Sequence, residues 1–501
     1  MAEIELKFVT RQSVLAPFME KVIPALQQQG MGVSKATEMR LQNDYYDTQE
    51  HEFQARKMGF RVRGNNGEFE QTLKTHGKVS GGLHERAEHN VALSKDEPDL
   101  TLFDASVWPQ DLDIKQLAGR LERQFSTHFT RTAFDIQVEN TVIELVLDEG
   151  EVTTGKAQSP IHEIELELKS GDVGMVFTIA RIINEVLPVR LSDVSKAAQG
   201  YQLLHGIQAQ VTSLPAFLPL DRNCSTEEAF ATAMRCALAH WQRHEHLFME
   251  TGSIKMLAEV AKSLRLMLQS VSLYLPVLQC PAMLALHKQL LNYAQEWLWQ
   301  DDLQSLRYLL SKKSLFNKNL ARHPSLLSYL QGRKAGLLQA HNPENLFFET
   351  TATSAKLSAS AILHNRPWRK EAKGYDMPVM EHAKGWLSQG WQTVQQSMPV
   401  NRDMAAANYT AIEILLRQTL WNGFLLADLF VEEQGTFRAP WLDLLTGIDE
   451  LRALLMLRHT LKEAEPEAED ELEAWVDEKT QSLLKVMERT RQVAMRGDVY
   501  W

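Results

Sequence analysis

Met1-Ala2-Glu3-Ile4-Glu5-Leu6-Lys7-Phe8 opens the chain, and from Glu3 onward charged and apolar residues alternate without a break. Side chains on a β-strand point to opposite faces with a period of two. Glu3, Glu5 and Lys7 therefore share one face, and Ile4, Leu6 and Phe8 share the other. An edge strand with a wet outer face would show the same pattern. The balance shifts because the two-residue rhythm of charge returns on later strands.

Working outward, Ser13 to Gln29 has helical spacing, with Ser13 as the expected N-cap. Extended segments follow at 38–46 (EMRLQNDYY), 60–64 (FRVRG), 68–75 (EFEQTLKT) and 83–93 (LHERAEHNVAL), with glycines marking the turns. Residues 98–122 read as helical. Strands resume at 124–138, 141–152 and 161–169, and a further helix covers 172–187. Eight strand candidates with little βαβ rhythm predict an antiparallel sheet closed or rolled on itself.

The parity of the first strand extends to the others. Arg61 shares a face with Arg63, Glu70 with Lys74, Glu144 with Asp148, and His84 with Arg86 and Glu88. Arg131 lies in FTRTAF, and Glu163, Glu165 and Glu167 in HEIELELK repeat the opening pattern. Two residues along a strand span roughly 6.6 Å, so acids of neighbouring strands can converge on one hard cation. Mg²⁺ takes oxygen ligands and keeps room for water and phosphate oxygens. Arg and Lys on the facing wall suit a polyphosphate. Such a barrel has charge inside and apolar residues such as Ile164, Leu166 and Leu168 outside. Helices at 13–29, 98–122 and 172–187 are then needed to cover them.

The 501 residues suffice for two or more domains, and the net charge of −11 excludes a general nucleic-acid binder. Residues 1–205 hold 22 Lys+Arg against 31 Asp+Glu, while 206–501 hold 31 against 33. An acid-rich half that also presents rows of Arg suggests a metal plus an anion. Cys224, Cys236 and Cys280 have no ligand-like spacing and read as thiols of a reducing compartment. The most apolar run, Leu273–Leu286, contains Pro276 and Pro281 and is too short to cross a bilayer. With no signal-peptide pattern at the start, a soluble, cytoplasmic protein is expected.

Glu3-x-Glu5-x-Lys7, FRVRG at 60–64, Leu147-Asp148, the HEIELEL strand and Ser195-Lys196-Ala197-Ala198-Gln199-Gly200-Tyr201 together resemble the CYTH domains, the triphosphate tunnel metalloenzymes. Gln199 departs from the Arg that many members carry there. The resemblance covers roughly residues 1–203. It implies an eight-stranded antiparallel tunnel that binds a triphosphate along its axis with one or two divalent metals, Mg²⁺ or Mn²⁺. By position, Glu3 and Glu5 would hold the first metal with one or two of Glu163, Glu165 and Glu167. Asp148, with Glu88, would serve a second that positions the attacking water. Lys7, Arg61, Arg63, Lys74, Arg86, Arg131, Arg190 and Lys196 would cradle the phosphates.

From about residue 217 the texture changes. Pro215 and Pro219 mark a linker, so the expected division is 1–205, a linker at 206–220, and 221–501. Helical spacing predicts helices at 226–250, 253–275, 281–299, 301–311, 324–340, 351–364, 376–397, 404–432, 440–461 and 468–496. Ser225-Thr226-Glu227-Glu228 reads as a helix start, and the acidic run from Glu463 to Glu478 as solvated. This half resembles the CHAD domain, an all-helical domain associated with polyphosphate. Three basic groups fit that partner: Lys255, Lys262 and Arg265; Lys312, Lys313, Lys318 and Arg322; and Arg366, Arg369, Lys370 and Lys373. The family's His-x-x-Arg pairs are not recognisable in the helices at 255–265 (KMLAEVAKSLR) and 409–418 (YTAIEILLRQ), however, and His240, His244 and His246 read as interface or surface residues.

The fold class is therefore a multidomain α+β protein: an N-terminal eight-stranded barrel with flanking helices, then an all-α bundle. The function expected from the resemblance is metal-dependent hydrolysis of inorganic triphosphate to pyrophosphate and phosphate. Alternatives are a hydrolase or cyclase acting on thiamine triphosphate or ATP, and a non-catalytic polyphosphate binder. Neither nucleic acid nor membrane is an expected partner. Deletion of residues 217–501 is expected to leave hydrolysis largely intact.

Overall fold

The computed structural model describes residues 2–65, 67–207, 210–312, 315–399, 401–431, 434–464 and 469–501. Met1, Lys313, residues 208–209 of the linker and residues 465–468 of the acidic run lie outside the described residues. The chain forms two compact units. The first comprises Met1–Gln210, Glu245–Ser253 and Phe347–Asn365; the second comprises Val211–His244, Ile254–Leu346 and Arg366–Trp501.

The strands of the first unit are β1 (Ala2–Val9), β2 (Gly32–Val33), β3 (Thr37–Asp47), β4 (Gly59–Asn65), β5 (Glu68–Lys74), β6 (Lys78–Ser80), β7 (Leu83–Leu93), β8 (Glu122–Val138), β9 (Thr141–Thr153), β10 (Gln158–Ser170) and β11 (Arg190–Leu191). The eight long ones pair antiparallel in the order β1-β10-β9-β8-β3-β4-β5-β7. A β7–β1 pairing closes the barrel. The eight strands expected from alternation are thus present, and the short β2, β6 and β11 are additions at the rim.

Directly opposed residues project to the same face of a sheet, so the register decides where the charge goes. Glu3 lies opposite Arg86 and Glu5 opposite His84 on β7, while Lys7 lies opposite Glu165 on β10. Glu163 lies opposite Asp148, which lies opposite Arg131. The other parity is apolar and faces outward. Leu6, Phe8, Leu145, Leu147, Ile164 and Leu166 are at most 1% exposed and share one core with the surrounding helices. Burying this apolar surface is the main stabilising contribution to the unit. The helix Val173–Val186 supplies Val176, Phe177, Ile179 and Ile183, and the segment from Leu15 to Gln28 supplies Phe18, Val22 and Leu26.

Three local expectations are corrected. Ser13 does not cap its helix by its own side chain. Its Oγ donates to Glu149 Oε1 (2.7 Å), which also accepts the Val14 N–H (3.2 Å), so an acid on β9 caps the helix. Residues 98–122 do not form one helix. They fold as turns at Leu100–Leu102 and Ala105–Val107 and a short helix, Ile114–Ala118, before β8 begins at Glu122. Asp99, Asp104 and Asp113 each accept a backbone N–H two residues on, and this local bonding chops the segment. It still covers the barrel, packing Leu100, Phe103, Trp108 and Leu117 on Phe60 and Leu73. Finally, the helix Thr350–Asn365 belongs to the first unit and places Leu357 and Ala361 in the barrel's outer core.

The rest of the described chain is helical: Thr226–Thr251, Lys255–Tyr274, Pro281–Glu296, Trp299–Leu309, Leu315–Leu320, Pro324–His341, Pro343–Leu346, Met380–Gln396, Ala406–Leu426, Gln434–Ala464 and Glu469–Met495. Ser225 and Glu228 form a reciprocal cap: Ser225 Oγ accepts the Glu228 N–H (3.3 Å) and Glu228 Oε2 accepts the Ser225 N–H (2.9 Å). Pro440 sits inside Gln434–Ala464 instead of opening it. One core of the second unit joins Leu306, Leu309, Leu326, Leu330, Leu454 and Leu457. No helix among the described residues is long and apolar enough to cross a membrane.

Candidate active site

The barrel encloses a cavity of about 1030 Å³. Glu3, Glu5 and Lys7 enter it from β1, Arg61 and Arg63 from β4, Lys74 from β5, and Arg86 and Glu88 from β7. Arg131, Glu165 and Glu167 follow from β8 and β10, and Lys196 from the helix Lys196–His205. Asp148 and Glu163 do not line the cavity but lie buried behind its wall, 0% and 6% exposed. Arg190 stands apart: its guanidinium is 3.6 Å from Glu245 and does not line the cavity.

One wall is a dense lattice of acids bridged by cations. Lys196 Nζ lies 2.7 Å from Asp148, 2.5 Å from Glu163 and 2.7 Å from Glu165. Arg131 donates to both oxygens of Asp148 (2.7 and 2.6 Å) and to Glu165 (2.8 Å), and Lys7 pairs with Glu163 (2.7 Å). Ligand oxygens of Asp148, Glu163 and Glu165 lie within 4.8 Å of one another, a spacing that could hold a metal ion. Burial alone would raise Asp148 and Glu165, but Lys196 and Arg131, joined at Glu165 by Lys7, pull both below the usual carboxylate range.

Glu3 and Glu5 are less well compensated. Burial, the larger cause, and the nearby Glu165 raise Glu5, and among the described residues its carboxylate has no ion pair. Glu3 binds Lys74 with both oxygens at 2.9 Å, yet burial still pushes it up to about 7. Glu88 shows the opposite balance: Lys74 and Arg61 overcome its burial and hold it at about 2. Two buried carboxylates short of positive charge fit a hard cation with oxygen ligands.

The cations of β4 and β7 are less fully paired. Arg63 donates Nε to Asn43 Oδ1 (2.9 Å), and burial, then Arg61 and Arg131, push it down to about 10. The Nε atoms of Arg61 and Arg86 are buried without a hydrogen-bond acceptor among the described residues. His84, lowered to about 3 by burial and then by Arg86 and Lys7, is neutral; its Nδ1 accepts from Arg86 Nη2 (2.6 Å) and its Nε2 faces Ser192 O (3.4 Å). Guanidinium donors to spare, together with the unpaired carboxylate of Glu5, suit an anion that carries a divalent ion.

The SKAAQGY segment has a local logic. Ser195 Oγ caps the helix by accepting the Ala198 N–H (3.2 Å), which directs Lys196 into the acids. Gly200 lies against the Phe125 ring, where an added Cβ would meet ring carbons at 2.1 Å. Gln199 donates to Ser159 Oγ and Pro160 O, both at 3.0 Å. Tyr45, Thr72, Asn90 and Asp193 also line the cavity and went unread in the sequence. The first three share the parity of charged neighbours and were legible in principle. Asp193, on a loop, carried no such signal.

In the second unit, His240 and His244 are buried rather than on the surface, and with Glu259 they form a group spaced like metal ligands. Their atoms are already engaged: His240 Nε2 with Glu259 (2.8 Å), His244 Nδ1 with His240 O (2.8 Å), and His244 Nε2 with the Thr212 N–H (3.3 Å). Four of the basic residues are paired with acids. Lys262 pairs with Glu259 (2.8 Å), Arg265 with Asp301 (2.6 Å), and Arg366 (2.9 Å) and Arg369 with Glu227.

The family model of the CYTH domain matches residues 1–201. An inorganic triphosphatase of Haemophilus influenzae is 37% identical over 164 residues, which are 32% of this chain and 46% of that protein. The match thus spans about half the length of that relative. Among solved structures, a Hippeastrum protein described as having a dominant triphosphatase activity is 18% identical (TM-score 0.28), covering 40% of this chain and 95% of that one. The CHAD domain of Ricinus communis is 16% identical (TM-score 0.42), covering 58% of this chain and 97% of that one. All eight long strands fall within the residues that the CYTH family model matches.

Proposed function

We propose that this protein hydrolyses inorganic triphosphate to pyrophosphate and phosphate inside the barrel, with Mg²⁺ or Mn²⁺ as cofactor. In this reading 1–205 is the catalytic domain, 206–220 a linker and 221–501 a CHAD-like domain of a cytoplasmic protein. What supports it is one cavity in which, among the described residues, Arg61 and Arg86 keep buried Nε donors without acceptors while Glu5 keeps a buried carboxylate without an ion pair. The name of the Haemophilus influenzae relative supports the substrate class.

Glu3 and Glu5, with Glu165, would hold the divalent ion, which when bound supplies charge neutralisation at the phosphate oxygens. Arg61, Arg63 and Arg86 hold the phosphate chain through their spare N–H donors, and Lys7 and Lys74 add point charges. Water attacks the terminal phosphorus in line. The new P–O bond forms as the bridging P–O bond breaks, and pyrophosphate leaves with the electron pair. The cationic wall stabilises the charge on the leaving group. Asp148 and Glu163, tied to Arg131, Lys7 and Lys196, position those cations from behind the wall.

A pure anion receptor is disfavoured by the same acids, which would repel an unmetallated polyphosphate. Polyphosphate at the helical half is the weaker part of the reading, because Lys262, Arg265, Arg366 and Arg369 already have acidic partners. Phosphate release from tripolyphosphate, pyrophosphate, ATP and thiamine triphosphate tests the substrate. Release strongly favouring tripolyphosphate is expected; equal turnover of ATP would overturn it.

A further inference from the structure

The segment from Val189 to Lys196 joins two parts of the site. β11 pairs with β1 at Val9↔Arg190 and Phe8↔Leu191, and the Ser192 N–H donates to Lys7 O (3.0 Å). Asp193 Oδ1 accepts the Gly82 N–H (2.8 Å), and Lys196 follows at the start of the next helix. The backbone carrying Lys7 is therefore bolted to the backbone carrying Lys196.

This segment is held from outside by residues beyond the family match. Thr353 Oγ1 donates to Val189 O (2.7 Å). Glu245 and Lys356, both 0% exposed, form an ion pair in which Lys356 Nζ lies 2.7 Å from each carboxylate oxygen. Arg190, 6% exposed, has its Nη1 at 3.6 Å from the same carboxylate, too long for a hydrogen bond, and its buried Nε lacks an acceptor among the described residues. The Phe348 ring lies 5.7 Å from the Arg190 guanidinium carbon. Two cations thus compete for one buried acid, and Lys356 holds both of its oxygens.

We infer that Lys356 and Glu245 are positioning residues for the phosphate site: by holding Glu245, Lys356 keeps Arg190 and the 189–196 segment from being drawn toward that carboxylate. Lys7 and Lys196 are thereby kept in register with the acids they bridge. The inference rests on the reading of the barrel as a triphosphate site.

The test is tripolyphosphate kinetics on full-length Lys356→Met, Lys356→Arg and Leu357→Ala. Lys356→Met leaves Arg190 and Glu245 as a balanced pair and should fold. Its KM is expected to rise about tenfold, with kcat changed less than about twofold, because a small misplacement weakens binding steeply. Lys356→Arg should restore most of the loss. Leu357→Ala, which loosens the same helix without touching the charges, should lower Tm and leave KM unchanged. A wild-type KM in Lys356→Met, or an equal shift in Leu357→Ala, would overturn the inference. Should the wild-type protein not turn over tripolyphosphate, the hydrolase reading fails by itself. Calorimetric binding of tripolyphosphate to the same three variants then decides the positioning role by the same pattern in Kd.

Discussion

Glu5 places function and stability in opposition at a single residue. Its carboxylate is buried, raised by that burial, and without an ion pair among the described residues. Glu5→Gln keeps the shape and removes the charge. Phosphate release should fall by more than about 100-fold, the size of effect of losing one electrostatic group at a reacting centre, while Tm holds or rises. A clear drop in Tm would mean that Glu5 is structurally compensated in a way this geometry does not contain. Glu3 adds a pH dependence. Burial lifts it from 4.5 to about 7, so the folded state holds a proton there that the unfolded chain has lost. The stability linked to that proton is full below about 4.5 and is lost as pH rises through about 7. A divalent ion competes with the same proton, so added Mg²⁺ should raise Tm more at pH 8 than at pH 6. Equal shifts at the two values would remove Glu3 from the ion site. The charged residues of the strands were legible because parity on an antiparallel sheet fixes the face. The pairing of Arg190 with Glu245 was not, because its partner lies on a helix 55 residues away.

Among the elements, the helix Lys196–His205 is seated too closely on β8 to admit a side chain at Gly200. Gly200→Ala places a methyl group against the Phe125 ring and forces the helix or the ring to move. The expected loss is about 1–3 kcal/mol by thermal unfolding, together with reduced activity as Lys196 shifts. Unchanged stability would mean that the helix is not seated on Phe125. Capping offers a second element-level test: Glu149→Ala should cost about 1 kcal/mol through the helix that follows Val14, with little effect on catalysis. The strands could be read because alternation survives any tertiary context that buries one face. The 98–122 segment could not, because its apolar spacing is helical while Asp99, Asp104 and Asp113 bond their own backbone.

At the scale of the whole molecule, sequence order and compact unit do not coincide. Alternation located the barrel and the change of texture near residue 217. Neither showed that Glu245–Ser253 and Phe347–Asn365 return to the first unit, since such contacts carry no local signal. A fragment ending at residue 216 lacks Leu357 and Ala361 from its outer core and Lys356 from its buried ion pair. Contrary to the expectation from sequence, it should be less stable than the first unit in the full chain by at least about 3 kcal/mol, and poorly active. A fragment as stable and active as the whole chain would show that the returning helices are dispensable. The central claim is that opposed acid and base walls grip one divalent ion and one phosphate chain together. ³¹P NMR of tripolyphosphate incubated with the full-length protein tests it most directly. The prediction is phosphate and pyrophosphate in equal amounts with Mg²⁺ or Mn²⁺ and none with chelator. Undiminished hydrolysis in chelator, or no hydrolysis with either metal, would contradict it.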